Sequence, residues 1–132
     1  MDTWTAVVIV VALLAVAWDP LWRLAGVRQL FPWELRRMLA SNPGGVALLD
    51  VRTPLEYGLF HIRGARNVPR LPVAPELGRD PAARPRVVVC MTGHRSPLAA
   101  WRMRGDGETY NLTWGMLGWL VTGGPVERTP KD

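Results

Sequence analysis

The chain has 132 residues, 48% of them hydrophobic and 20% charged, which fits one compact domain and leaves no room for two. That apolar fraction excludes disorder, the lack of any repeat excludes collagen-like and coiled-coil architectures, and one cysteine excludes a disulfide framework or a cysteine-rich zinc module. The formal charge is +5, and fifteen of the sixteen basic residues are Arg, but they are scattered, without a basic run or an interleaved aromatic stripe, so nucleic acid is not the expected partner.

Residues 3–18 carry no charge and read TWTAVVIVVALLAVAW. As a helix they measure about 24 Å, short of a hydrocarbon core of about 30 Å. Trp4 at one end, with Trp18 and Trp22 at the other, suits interfacial anchoring. Trp4 to Trp22 reaches about 27 Å, close to a span where the bilayer thins. Asp19 and Pro20 mark the expected exit. Residues 1–22 therefore read as a transmembrane anchor touching lipid through residues 3–18, and residues 23–132 as one domain. The rival is a cleaved signal peptide, for which Ala15-Val16-Ala17 is an acceptable cleavage pattern; only Met1 and Asp2 precede the apolar core, with no basic residue. Arg23, Arg28, Arg36 and Arg37 follow the segment, which puts the domain of an anchored chain in the cytoplasm; a cleaved one is exported.

Beyond Gly26 the pattern is α/β. Residues 27–30 read as a short strand, and Pro32 opens a helix whose apolar residues recur at helical spacing through Leu39. Asn42-Pro43-Gly44-Gly45 is a turn, residues 46–51 a buried strand, and Thr53-Pro54 with Glu56 a capped helix start. Residues 65–69 form a brief strand. Residues 70–86, rich in proline and charge, read as a surface connection with one helical turn. Arg86 to Cys90 is the clearest strand, and residues 97–103 form a helix with Ser96 as N-cap and Pro97 at its first position. Residues 108–112 form a last strand and residues 114–121 a last helix. Alternating strands and helices predict a parallel sheet flanked by helices on both faces, preceded by one hydrophobic N-terminal helix.

Cys90 ends a buried strand at the carboxyl edge of the sheet, where open α/β folds place their ligands. Residues 90–95 turn the chain into a helix. Gly93 allows the turn, so that several N–H groups can face one spot as an anion-binding nest. The helix dipole points at the same spot and Arg95 adds a full charge. Each feature favours thiolate over thiol, and a thiolate in a cradle of donors is a nucleophile for an anionic substrate.

With these residues in place the chain resembles a single-domain rhodanese, a sulfurtransferase. Leu49-Asp50-Val51-Arg52, Glu56-Tyr57, His61-Ile62, Gly64-Ala65 and Asn67-Val68-Pro69 are similar to the family's first motif. Residues 88–96, Val-Val-Cys-Met-Thr-Gly-His-Arg-Ser, are similar to its active-site loop. Tyr110-Asn111-Leu112, Gly115-Met116, Trp119 and Gly124-Pro125-Val126 are similar to its closing helix and tail.

The resemblance implies a double displacement. Cys90 takes the outer sulfur of thiosulfate or another sulfane-sulfur donor as a persulfide, and passes it to cyanide or a thiol. Met91, Thr92, Gly93, His94, Arg95 and Ser96 would bind substrate, with no metal and no cofactor. Asp50 and Arg52 either brace the site or touch substrate, His61 caps or packs, and His94 lines the mouth. Trp114 and Trp119 read as core and pocket wall.

Phe60 stands where the family has a Gly, Trp114 replaces the first Gly of the closing pattern, and Arg104-Gly105-Asp106-Gly107 is a shortened link. The fold also resembles that of dual-specificity phosphatases and some arsenate reductases, which use a wider C-x5-R loop. The C-x4-R spacing from Cys90 to Arg95 favours sulfur. A membrane-tethered binding module or a persulfide carrier for a partner protein is the other reading.

Overall fold

In the computed structural model, which describes residues 1–68, 82–104 and 107–129, the chain runs α1 (Thr3–Leu24), β1 (Arg28–Leu30), α2 (Pro32–Ser41), β2 (Ala47–Asp50), α3 (Pro54–Leu59), β3 (Arg66–Asn67), β4 (Arg86–Val89), α4 (Ser96–Met103), β5 (Thr109–Leu112) and α5 (Gly115–Val121). The strands form one sheet in the order β1-β5-β4-β2-β3, and every pairing is parallel. β4 is central because all of its side chains are buried, as a strand covered on both faces requires.

Side-chain alternation sorts the apolar residues into two layers. Leu48, Val87 and Val89 face Leu35 of α2 and Met116 and Trp119 of α5. Leu49, Val88 and Cys90 face Ala99, Ala100 and Met103 of α4, with Trp22 of α1 packed against the same cluster. The predicted α/β sheet with helices on both faces and an N-terminal apolar helix is the fold observed. Each fully buried Val or Leu contributes about 1.5–3 kcal/mol, so these two layers hold the strand ends that position the site.

Several boundaries differ from expectation. α1 carries on as helix beyond the expected membrane exit at Asp19 and Pro20, as far as Leu24. Proline removes one backbone donor there, but Trp22 packs on the core and its carbonyl accepts from Val27 N at 2.9 Å, which holds the last turn. Ser96 is not the N-cap of α4: Arg95 occupies that position and the Ser96 side chain is engaged elsewhere. α5 begins one residue late, because Trp114 is left-handed at φ 65°. Pro69, most of the expected surface connection with its helical turn (through residue 81), and Gly105 and Asp106 of the short link lie outside the described residues.

Candidate active site

β4 delivers Cys90 to the carboxyl edge of the sheet between the ends of β2 and β5, and the residue is fully buried. Gly93 N donates to Cys90 Sγ at 3.0 Å and Ser96 Oγ lies 3.3 Å from the same sulfur. The loop can aim N–H groups inward because its carbonyls are occupied from behind. Met116 N donates to Cys90 O at 2.9 Å and Leu117 N to Met91 O at 3.0 Å, so the first turn of α5 feeds the outer side of the loop. Two backbones cross closely here. A Cβ on Gly93 (φ 85°) would lie 2.8 Å from Trp114 N, so only glycine fits both the conformation and the approach.

Ser96 Oγ also donates to Asn111 Oδ1, and a hydroxyl has one proton for these two acceptors. Asn111, itself buried, donates through Nδ2 to Gln29 Oε1 at 2.8 Å and to Gly93 O at 3.2 Å. Thr113 Oγ1 donates to the same Gln29 oxygen at 2.9 Å. This network fixes the loop from the side of β5 and β1. The site prediction missed Asn111, Gln29 and Thr113. A buried amide at a strand's carboxyl end is a signal for Asn111, whereas Gln29 lies 82 residues away in sequence and gives none.

On the β2 side, Asp50 and Arg52 are both buried. Arg52 Nε donates to Asp50 Oδ1 at 3.0 Å and Arg52 NH2 to Asp50 Oδ2 at 2.8 Å, a paired, planar contact. Arg52 NH2 also donates to Phe60 O at 2.6 Å, and the guanidinium lies 4.9 Å from the centre of the Phe60 ring. Asn67 Nδ2 ties Asp50 O and Arg52 O together at 3.0 and 2.9 Å. This pair braces the strand end.

The remaining predicted residues form the rim. Met91 is half-buried against the α2/α5 layer. Thr92 and His94 are exposed and touch each other, His94 Nδ1 to Thr92 Oγ1 at 3.2 Å. Arg95 heads α4, but its guanidinium turns outward to Glu56 Oε2 at 3.4 Å rather than onto Cys90. Burial pushes the Glu56 carboxyl up, but hydrogen bonds from Thr53 and the Arg95 charge outweigh that and leave it below its ordinary value. His61 is not at the site. It stacks on Tyr57, with Nδ1 2.8 Å from Tyr57 O and Nε2 3.2 Å from Glu127. Trp119 is core, with Nε1 donating to Pro125 O at 2.8 Å, while Trp114 is half-exposed and packs edge-on against Phe31 and Trp33.

A cavity of about 480 Å³ opens at this rim. Thr92, Gly93, His94 and Trp114 line one side, Asn111, Thr113 and Gln29 its depth, and Val11, Leu14, Ala15, Trp18 and Asp19 of α1 the other side. The α1 wall was not foreseen.

Residues 32–122 match the rhodanese-like domain family. Over 92 residues the chain is 37% identical to the Mycobacterium tuberculosis protein named "Probable adenylyltransferase/sulfurtransferase MoeZ", covering 67% of this chain and 23% of that one. The chain thus spans about a quarter of that relative's length. Over 88 residues it is 33% identical to the thiosulfate sulfurtransferase GlpE of Pseudomonas paraeruginosa, covering 65% of this chain and 78% of GlpE. The rhodanese-like domain of the Anabaena protein Alr3790 superposes with a TM-score of 0.66 at 24% identity, over 79% of this chain and 85% of that one, a likeness of fold.

Proposed function

We propose, since the chain belongs to the rhodanese-like family, that it is a sulfurtransferase taking sulfane sulfur from thiosulfate through a persulfide on Cys90. The observation that carries this reading is the buried sulfur with Gly93 N–H at 3.0 Å and Ser96 Oγ at 3.3 Å, at a helix N-terminus. The GlpE likeness supports thiosulfate as donor.

The Cys90 thiolate attacks the outer sulfur of thiosulfate. The sulfur–sulfur bond of thiosulfate breaks, sulfite leaves with its electron pair, and the new bond is Cys90 Sγ to sulfur. A thiol acceptor or cyanide then attacks that outer sulfur, and Cys90 leaves as thiolate. Donors already aimed at the sulfur hold negative charge in both steps without reorganising. Arg95, on the rim, exchanges Glu56 for the incoming dianion, while Asp50 and Arg52 hold the strand end.

α1 is read as an uncleaved single-pass anchor with the domain in the cytoplasm. Trp4 at one end and Trp18 and Trp22 at the other bracket its apolar run, and Arg23 and Arg28 follow it, which supports anchor over signal peptide. Carbonate washing tests this, since an anchored chain stays with the membrane and begins at Met1 or Asp2, and a soluble form beginning at Trp18 would reverse it.

The chemistry is tested on the whole protein. After thiosulfate treatment its intact mass should rise by one sulfur, and Cys90→Ser should neither gain that sulfur nor produce thiocyanate from cyanide, since a serine hydroxyl forms no persulfide. A protein that gains no sulfur on Cys90 would instead be a binding module.

A further inference from the structure

Parallel pairing aligns Gln29 of β1, Asn111 of β5 and Val88 of β4 in one row across the sheet. Side chains in such a row share a face, and Val88 places this one on the side of Cys90 and α4. The row therefore brings two amides up to Ser96, the first residue of α4. Ser96 and Asn111 are 0% and 1% exposed, so their polar atoms depend on partners inside the protein.

A backbone carbonyl decides which way round both amides stand. Gly93 O only accepts, so the Asn111 atom 3.2 Å from it is Nδ2. The same Nδ2 reaches Gln29 at 2.8 Å, which makes the Gln29 atom there Oε1 and sets Asn111 Oδ1 against Ser96 Oγ. Gln29 Nε2 is left buried without a partner among the described residues, so this orientation is held at a cost. Asn111 Oδ1 has no proton of its own and can only receive that of Ser96. Cys90 Sγ, 3.3 Å from the same hydroxyl, is its competitor.

Sulfur transfer moves charge across that competitor. As a thiolate, Sγ is anionic and a strong acceptor. Once it has attacked the outer sulfur of thiosulfate and sulfite has left, the negative charge sits on the outer sulfur. Sγ is then a bridging sulfur and a weak acceptor. A hydrogen bond to an ionised group is about twice as strong as a neutral one, so the best place for a single proton differs between the two forms.

We infer that the Ser96 hydroxyl is a two-position donor, serving Cys90 Sγ while that sulfur is anionic and turning to Asn111 Oδ1 when the charge moves outward, with Gln29 as the positioning residue that holds Asn111 for it. This rests on the persulfide chemistry proposed above. Only the O–H bond rotates; the proton stays on its oxygen and the switch makes or breaks no covalent bond. When Cys90 later leaves as thiolate, the proton returns to Sγ.

The test is an equilibrium between two folded forms, which a merely structural role would not move. The full chain in detergent is equilibrated with mixtures of thiosulfate and sulfite and quenched in acid, and the two forms are counted by intact mass. The readout is the sulfite-to-thiosulfate ratio at which half the chains carry the extra sulfur. Asn111→Leu takes an acceptor from the persulfide form alone, so the ratio should fall about three- to tenfold, the worth of one neutral hydrogen bond. Ser96→Ala removes a charge-assisted bond from the thiolate and a neutral one from the persulfide. The ratio should therefore rise, about two- to tenfold. In the Ser96→Ala background, Asn111→Leu should then have no effect.

Should Asn111→Leu fold poorly, Gln29→Leu loosens the same acceptor from a half-buried position and should lower the ratio about twofold. An unchanged ratio in these variants would mean that the hydroxyl follows the charge onto the outer sulfur. Equal falls with and without Ser96 would mean that the effect bypasses it. Either result overturns the switch and leaves the persulfide reading standing, whereas a wild-type chain that takes up no sulfur removes both.

Discussion

Two arginine–carboxylate pairs flank Cys90 in opposite surroundings. Asp50 and Arg52, at the floor, are sealed, with side chains 1% and 0% exposed. Glu56 and Arg95, at the rim, are 26% and 44% exposed and meet at 3.4 Å. A buried pair offsets its desolvation only with close, well-aligned hydrogen bonds and leaves a costly charge when broken, whereas an exposed pair is worth about 0.2–1 kcal/mol and is easily exchanged. The first pair therefore maintains the strand end and the second is free to trade partners. Burial separates an architectural arginine from one that an anion can recruit.

The largest effect should come from breaking the floor. Asp50→Ala strands the Arg52 guanidinium, at a cost of about 3–5 kcal/mol, and unfolding should begin at markedly lower urea. Replacing both, Asp50→Leu with Arg52→Met, removes the charge along with its partner and the unpartnered Arg52 NH1 as well. The double variant should recover most of the loss. A double variant as unstable as Asp50→Ala would show that packing around Phe60, not the stranded charge, sets the cost.

At the rim the effects should appear in kinetics. Arg95→Ala should lower kcat/KM for thiosulfate about ten- to a hundredfold, the loss of one charge-assisted hydrogen bond, with little change in unfolding midpoint. Arg95→Lys should fall between, since it keeps the charge and loses the planar donors. Glu56→Gln retains the capping-box side chain and frees Arg95, so KM for thiosulfate should fall roughly two- to fivefold. Because the Glu56 carboxyl is held below its ordinary value in the folded state, its contribution to stability is complete above the ordinary carboxylate range. It should fade as pH drops through the lowered folded value, and Glu56→Gln should flatten that part of the acid-unfolding profile. A steeper profile in the variant would put the sign of this coupling in error.

Much of this site is legible in local sequence, because a strand, a turn and a capped helix are local events. The order β4, Cys90, loop, α4 follows from the valine run, Gly93 and Pro97 alone. What the sequence does not show is where long side chains end. Ser96 has the chemistry of an N-cap, yet its hydroxyl serves Cys90 and Asn111, the latter 15 residues on. Arg95 has the right spacing for the cradle, yet Glu56, 39 residues earlier, draws it outward. The two departures from the family pattern also look alike on paper and differ in the fold. Phe60 sits at φ −167°, extended backbone open to any residue, and its ring covers Arg52. Trp114 sits at φ 65°.

That contrast gives the smallest effect, and it bears on the rim. A left-handed backbone costs a non-glycine residue about 1–2 kcal/mol, while glycine loses about 0.5–1 kcal/mol of extra chain entropy on folding. Trp114→Ala keeps the strained conformation and discards the contacts with Phe31 and Trp33; Trp114→Gly discards the same contacts and relieves the strain. The glycine variant should therefore be the more stable of the two by about 0.5–1 kcal/mol, reversing the usual order of alanine over glycine. Urea midpoints at constant slope measure this directly. Alanine matching or exceeding glycine would mean that the backbone at residue 114 relaxes once the indole is gone, so that the ring itself imposes the left-handed turn. With the predicted order, the strain belongs to the crossing with Gly93 and Gly115, and an aromatic ring is held at the mouth of the site despite its cost.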